Sequence, residues 1–391
     1  MNAAGVENSE DPSPTAKARE RQSARLRILQ VCSIKGRGGT GYMASHLSRL
    51  LASRGHEVIV AACAGSLLEA RARQDGLRLA PPLSLRRGFH PLALLRDVIT
   101  LRQCICAERI QIVHAWHSIE YWSCGVALLG LAARLARTRG LTTPVKAHIA
   151  NRWLHRRTAA LFVTCRRIAE MYAQAGFAQN NIFMLRDGVD LARFHPGGGD
   201  RQRLRRELGL AESVFFVLSV GRLQPVKGHS VFLRAMARLP GDVRAAIAGD
   251  GWLKEALLAE HRLLGLGDRV RFLGMREDIP DLLAAADAYA LTSIGSEGSS
   301  RATLEAMAAG VPVIAADVGM LPDIVRTDET GILVPPSDIE ALVGAIDRLR
   351  RDPALRQRLR QNAREFVQRE HSEERMVAGV EEAYLRIAGA I

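Results

Sequence analysis

The feature that most narrows the folds open to this chain is an alternation that runs twice. From residue 26, short apolar runs ("LRILQVCSI", "HEVIVAAC", "IQIVHAW", "AALFVTC") take turns with longer amphipathic stretches ("YMASHLSRLLASRG", "PLALLRDVITLRQCICAERI", "YWSCGVALLGLAARLA", "RRIAEMYAQAG"). Near "RDGVDLARFHPGGGD" (186–200) the pattern stops at Pro196 and three glycines. It then restarts with "VFFVLSVG", "GHSVFLRAMARL", "VRAAIAG", "LKEALLAEHRLLG" and their successors. Continuous apolar strands joined by helices through short loops indicate parallel sheets covered on both faces. A chain of 391 residues also exceeds what one core serves. The expectation is an α/β protein of two doubly wound parallel-sheet domains, 25–190 and 197–373, after a disordered tail at 1–24. The segment from Ala354 onward reads as helical throughout.

Composition removes several classes. Apolar residues make up 48% and charged ones 24%, ordinary globular values. No uninterrupted apolar run reaches the ~18 residues of a membrane span, and the polar start lacks the apolar core of a signal peptide. A cytoplasmic place is expected. Cys32, Cys63, Cys104, Cys106, Cys124 and Cys165 form no CxxC pair, so reduced, buried thiols are expected. The net charge of +13 is lopsided: residues 1–196 carry 28 Lys+Arg against 13 Asp+Glu, and the remainder 26 against 28. A basic half beside a neutral half points to an anionic partner. Scattered arginines and 5% aromatics argue against a base-stacking nucleic-acid surface.

Four motifs carry the chemistry. Gly36, Gly38 and Gly41 spell G-x-G-x-x-G between a strand and a helix, with Gly38 and Gly39 at the helix entrance. A dinucleotide site would add an acidic residue at the end of the second strand. That strand ends "VAACAGS", so what remains is a bare loop suited to an anionic or hydroxylated ligand, or to close packing alone. In "VGRLQPVKGHS", Arg222 and Lys227 follow a strand and open a helix, the arrangement of a diphosphate clamp. "AGDGW" reads either as a turn alone or as a turn whose Asp250 touches the nucleotide side of a cleft. In "GSEGSSRATLEAMAAGVPVIAA", a helix starting near Ser300 leaves the amides of Gly298, Ser299 and Ser300 as N-terminal donors. Glu297 lies on the loop and Glu305 in the second turn, where a carboxylate can accept two hydrogen bonds from a ribose diol.

Taken together, G-R-x4-K-G, G-D-G, E-x7-E with "AMAAGVPVIA", and "GILVPP" resemble the retaining GT-B glycosyltransferases of family 4. "GGTGYMASHLSRLLASRGHEV" and "DGVDLARFHP" resemble it too, and "NRWLHRRTAALFVTC" is most similar to bacterial members of lipopolysaccharide-core or surface-glycan assembly. The resemblance covers nearly everything after residue 25. It implies two Rossmann-like domains facing a cleft, with a final helix (374–391) crossing back to the first. It implies a nucleotide-sugar donor, a glycan or lipid-linked acceptor, no metal and no other cofactor. Arg222 and Lys227 would hold the diphosphate, Glu305 the ribose and Glu297 the donor hexose. Departures lie in the first domain. "VHAWHS" puts Trp116 where family members carry a sugar-facing histidine, with His117 one step later, and Gly140 stands where relatives carry histidine.

Three other classes stay in view: a nicotinamide-dependent oxidoreductase, a GT-B protein with weakened activity that binds nucleotide or glycan, and a nucleic-acid binder suggested by charge alone. Residues 83–103 join Arg86, Arg87, Arg96 and Arg102 to Phe89, Leu92, Leu95 and Ile99. At helical spacing this reads either as a helix docking on an anionic membrane or as one covering the sheet with its apolar side.

Overall fold

The computed structural model describes residues 25–36, 39–85, 90–295 and 297–390. Gly38, Arg86, Arg87 and Phe89 lie outside the described residues. The first unit runs β1 (Arg27–Cys32), α1 (Gly39–Ser53), β2 (Glu57–Ala62), α2 (Leu67–Gln74), β3 (Arg78–Leu79), α3 (Pro91–Ala107), β4 (Ile112–Ala115), α4 (Ser118–Ala127), β5 (Arg134–Arg139), α5 (Ile149–Arg156), β6 (Thr158–Val163), α6 (Arg166–Gln174) and β7 (Ile182–Met184). The second runs α7 (Arg201–Glu207), β8 (Phe215–Val220), α8 (His229–Arg238), β9 (Val243–Ala248), α9 (Lys254–Leu263), β10 (Val270–Gly274), α10 (Ile279–Ala285) and β11 (Ala288–Leu291). It ends with α11 (Arg301–Ala308), β12 (Val313–Ala316), α12 (Leu321–Ile324), β13 (Ile332–Val334), α13 (Ile339–Arg351), α14 (Pro353–Glu370) and α15 (Glu373–Ala388).

Every strand pairing is parallel, in the orders β3-β2-β1-β4-β5-β6-β7 and β10-β9-β8-β11-β12-β13. Each order reverses once, between β1 and β4 and between β8 and β11. Ligands of open α/β sheets bind at such reversals, beyond the carboxyl ends of the strands. The central strands are wholly buried, as their apolar runs require: Ile28, Leu29 and Val31 in β1, Val217 and Leu218 in β8.

The structure departs from the sequence reading at three places. "YWSCGVALLGLAARLA" is not one helix. It breaks after Ala127, turns at Gly130 and becomes β5. Ala, Leu and Arg favour helices, but "RLARTR" lies between β4 and β6, and sheet pairing overrides that preference. The C-terminal stretch is two helices, parted at His371 and Ser372, where the Ser372 hydroxyl accepts from the Arg375 amide to cap α15. The thiols are unpaired, as expected, yet Cys106 is exposed and Cys104 half-buried.

After that break α15 packs on the first sheet. Met376, Val377, Val380, Tyr384 and Leu385 join the cluster of Ile28, Leu47 and Phe162. The Tyr384 hydroxyl hydrogen-bonds His114 Nδ1, and His114 Nε2 meets Thr138 Oγ1 at 2.7 Å. His114 is thus a core histidine, its pKa pushed down to about 3 by burial. Trp116 stacks on it, also buried, and donates to Gln30 Oε1.

Candidate functional site

The two reversals face each other across a cavity of about 430 Å³. The second domain supplies three strand ends. After β8, Gly221 and Arg222 lie against the turn after β9. Gly249 (φ +145°) comes so close that a Cβ there would sit 2.0 Å from the Gly221 carbonyl oxygen. This backbone contact sets Asp250 and Arg222 on the cavity wall. Both are exposed, and Arg222 makes no ion pair among the described residues. Arg276 also lines the cavity but is held by Asp278 and Glu207, which keep its guanidinium firmly charged.

Lys227 is committed differently. Its Nζ donates to both Glu297 carboxylate oxygens at 2.8 Å, and Ser293 Oγ donates to the same group at 2.7 Å. Glu297 therefore lies buried beneath Lys227 instead of standing free in the cleft. Its backbone carbonyl accepts from the Met320 amide, fixing the loop from below. The next residue, Gly298, packs across the domain boundary: a Cβ there would sit 1.4 Å from the Gly140 carbonyl oxygen. No other side chain fits this crossing. Gly140, read from sequence as a departure, is thus a contact point with the E-x7-E loop.

Helix α11 begins after Ser300, as expected from sequence, but its three leading amides are not all available. The Ser300 amide donates to Met320 Sδ at 3.0 Å, and the Ser300 hydroxyl pairs with Thr303. Ser299 Oγ donates to Asp187 Oδ2. Glu305, one turn on, lines the cavity and pairs with Arg301 Nε at 3.0 Å. Burial raises the Glu305 carboxyl above its ordinary range, against the pull of Arg301 and Arg193.

From the first domain, α1 brings Gly39, Thr40, Tyr42, Met43 and His46 to the opposite wall. The Arg301 guanidinium lies 3.5 Å from the Tyr42 ring centroid, a cation–π contact that joins the domains. His117, by contrast, leads α4 and is not among the residues lining this cavity. Sequence reasoning missed Tyr42, Arg301 and Asp187. Burial pushes the Asp187 carboxyl up to about 6, while Ser299 and Arg301 pull it down. The i,i+4 spacing of Arg301 and Glu305 was the available signal. Among the described residues no His, Cys, Asp or Glu cluster could hold a metal.

Residues 37–193 match the family described as Glycosyltransferase Family 4, and residues 200–366 match Glycosyl transferases group 1. The chain carries the paired domains of a glycosyltransferase. A D-inositol 3-phosphate glycosyltransferase of Salinispora arenicola (strain CNS-205) is 39% identical over 215 residues, covering 50% of this chain and 48% of that protein. The chain spans about half the length, or less, of the curated relatives it matches. Among solved structures, a glycosyltransferase from Rickettsia africae ESF-5 superposes with a TM-score of 0.85 at 19% identity, covering 93% of this chain and 98% of that one. Anabaena Alr3699/HepE in complex with UDP and glucose gives 0.80 at 23%, covering 92% and 99%. The glycosyltransferase fold is therefore GT-B, two parallel-sheet domains facing a cleft. The resemblance stands at family level. Relatives from Salinispora, Mycobacterium and Nocardia carry the D-inositol 3-phosphate glycosyltransferase name.

Proposed function

We propose that this protein transfers a hexose from a nucleoside-diphosphate donor to a glycan or lipid-linked acceptor, with retention and without a metal. One observation carries the reading: a single cavity at the facing sheet reversals gathers Arg222, Lys227, Glu297 and Glu305. Arg222 and Lys227 would hold the diphosphate and stabilise the charge that develops on it as the sugar leaves. Glu305 would accept from the ribose diol, and Glu297, once Lys227 turns to phosphate, from the hexose hydroxyls. Gly39, Ser299 and the α11 N-terminus line the same cavity and would meet phosphate or sugar oxygens, and Asp250 would face the nucleotide. The leaving phosphate oxygen can itself take the acceptor proton, so this route requires no separate general base. Saturation-transfer NMR with uridine, guanosine and adenosine diphosphate sugars, followed by turnover, is the test. A protein that binds none of them refutes the proposal.

The acceptor belongs, on this reading, to surface-polysaccharide or lipopolysaccharide assembly at the cytoplasmic side of the membrane. Its support is α3. Leu92, Leu95 and Ile99 are 80%, 55% and 47% exposed, so the apolar side does not cover the sheet. Asp97 turns inward instead, accepting from the Ser84 and Leu85 amides, with Leu101 and Ile105 below it. An outward apolar stripe beside Arg96 suits an anionic bilayer surface. No helix among the described residues is long and apolar enough to cross a membrane. A second reading is a GT-B protein that binds nucleotide and glycan with little transfer. The Lys227–Glu297 pair favours it, because each group occupies the other. Measured turnover separates the two.

A further inference from the structure

A second cavity, of about 330 Å³, opens in the first domain between α4, α5, α6 and the loop after β5. Arg137 and Arg139 are alternate residues of β5, so their side chains leave the same face of the sheet. Both line the cavity, with Lys146 from the following loop, and none of the lining residues is Asp or Glu. Arg137 is only 9% exposed. Its guanidinium lies over Tyr121, 3.9 Å from the ring centroid, and donates through Nη2 to Ser118 Oγ. Arg139 leans toward Tyr172 and donates to the Thr143 carbonyl. The Nε–H of each is buried and unpartnered among the described residues.

Two guanidinium groups in one cavity without a counter-charge are costly. A buried charged donor left unpaired loses its hydration with nothing in return. Burial, and the neighbouring Arg137 charge, lower the Arg139 pKa from its ordinary value despite Tyr172. The Tyr121 ring holds the Arg137 guanidinium in place, and the N–H groups the two arginines leave unpartnered suit planar or tetrahedral oxyanions. The cavity also borders the donor site. Arg139 lines the one, Leu141 lines the other, and Gly140 between them touches Gly298.

We propose that this pocket binds the oxyanion, phosphate or carboxylate, of a sugar-type acceptor, with Arg137 and Arg139 as its ligands. The assignment of that ligand as acceptor rests on the glycosyltransferase reading; the anion site does not. The acceptor's free hydroxyl would then reach across Gly140 toward the donor.

The test is calorimetry and NMR on the full chain with glucose 6-phosphate, glucuronate, inorganic phosphate and neutral glucose, each with and without UDP. Glucose 6-phosphate or glucuronate should bind at least tenfold tighter than glucose and shift arginine Nε–H resonances, and the ranking of the two identifies the oxyanion. Arg139→Gln should weaken that binding about tenfold or more, the loss of one charge-assisted bond, while UDP affinity stays unchanged. Lys146→Ala, on an exposed loop, provides a second variant should Arg139→Gln destabilise the domain, with a smaller loss expected. Equal binding of glucose and its anionic counterparts, or silence of every anionic probe in the millimolar range, overturns the pocket even where UDP binds. UDP silence with anionic sugars bound refutes the donor reading and leaves the pocket standing.

Discussion

The Lys227–Glu297 pair predicts an asymmetry between its two halves. Glu297 and Lys227 are 4% and 18% exposed at the side chain, so solvent screens the pair little. At 2.8 Å and an effective dielectric of about 20, the gross attraction is about 6 kcal/mol, much of it cancelled by desolvation. Lys227→Ala leaves Glu297 buried with Ser293 as its remaining hydrogen-bonding side chain, and breaking a buried pair in this way costs about 3–5 kcal/mol. Glu297→Gln leaves an ammonium that can swing on its flexible stem into the cavity, so about 1 kcal/mol is expected. The double variant should cost about 2 kcal/mol, recovering at least half of the Lys227→Ala loss, which gives a coupling of about 3 kcal/mol. Urea unfolding followed by circular dichroism measures stability, fitted as two transitions because two domains need not melt together. UDP calorimetry on the same samples reads function. Lys227→Ala should lose tenfold or more in affinity, and Glu297→Gln should keep or gain affinity, since it frees the lysine. Equal destabilisation by both single variants, or additive losses in the double, would refute the reasoning.

Arg222→Ala should weaken UDP binding about tenfold or more with little change in stability, since the side chain is exposed and unpaired among the described residues; an unchanged calorimetric affinity counts against the clamp. Glu305→Gln should weaken free nucleotide, whereas Glu297→Gln should spare it and impair transfer; equal losses of nucleotide affinity in both would show that the carboxylates do not divide the work. Asp187 gives a pH signature. Its carboxyl stands at about 6 in the fold, above the ordinary 3.8, so stability from this group is present below about pH 4 and lost as pH rises through 6. Asp187→Asn should flatten that decline by up to about 3 kcal/mol, and an unaltered pH profile of unfolding would contradict the assignment. Co-sedimentation with anionic vesicles should be strong at low salt, fall at high salt, and drop further in Leu92→Ser/Leu95→Ser; indifference to anionic vesicles at low salt sinks the membrane part.

What could be read from sequence was what repeats locally. Buried strands, the Pro196 break and the helix start at Ser300 each leave a signature within a few residues. β5 left the wrong one, because its leucine, alanine and arginines satisfy a helix until its neighbours in the sheet are known. The site was legible as a set of residues but not as a set of partnerships. Lys227 and Glu297 lie 70 residues apart, and nothing near either says that each meets the other. The same holds for Ser300, whose amide was spoken for by Met320, and for Gly140, whose meaning appears only when Gly298 is placed against it. Arg137 and Arg139 were invisible for a related reason: they follow the run read as a helix, and only the pairing of β5 with its neighbours sets them on one face of the sheet.

The two passages of the chain between domains are tied to one another. The Val189 amide donates to the His371 carbonyl, and His371 Nδ1 meets the Asp187 carbonyl. Beyond them, the first domain closes its core with residues that follow the whole second sheet: Gln30 waits for Tyr384, 354 positions later. Residues 197–370 carry the whole second sheet, but the first sheet remains unsealed on its α15 side until that helix leaves the ribosome. For this chain the usual order of completion, with the N-terminal domain finished first, is reversed. A stop anywhere between residues 371 and 384 would spare the later-made domain and leave the earlier-made one with an open face.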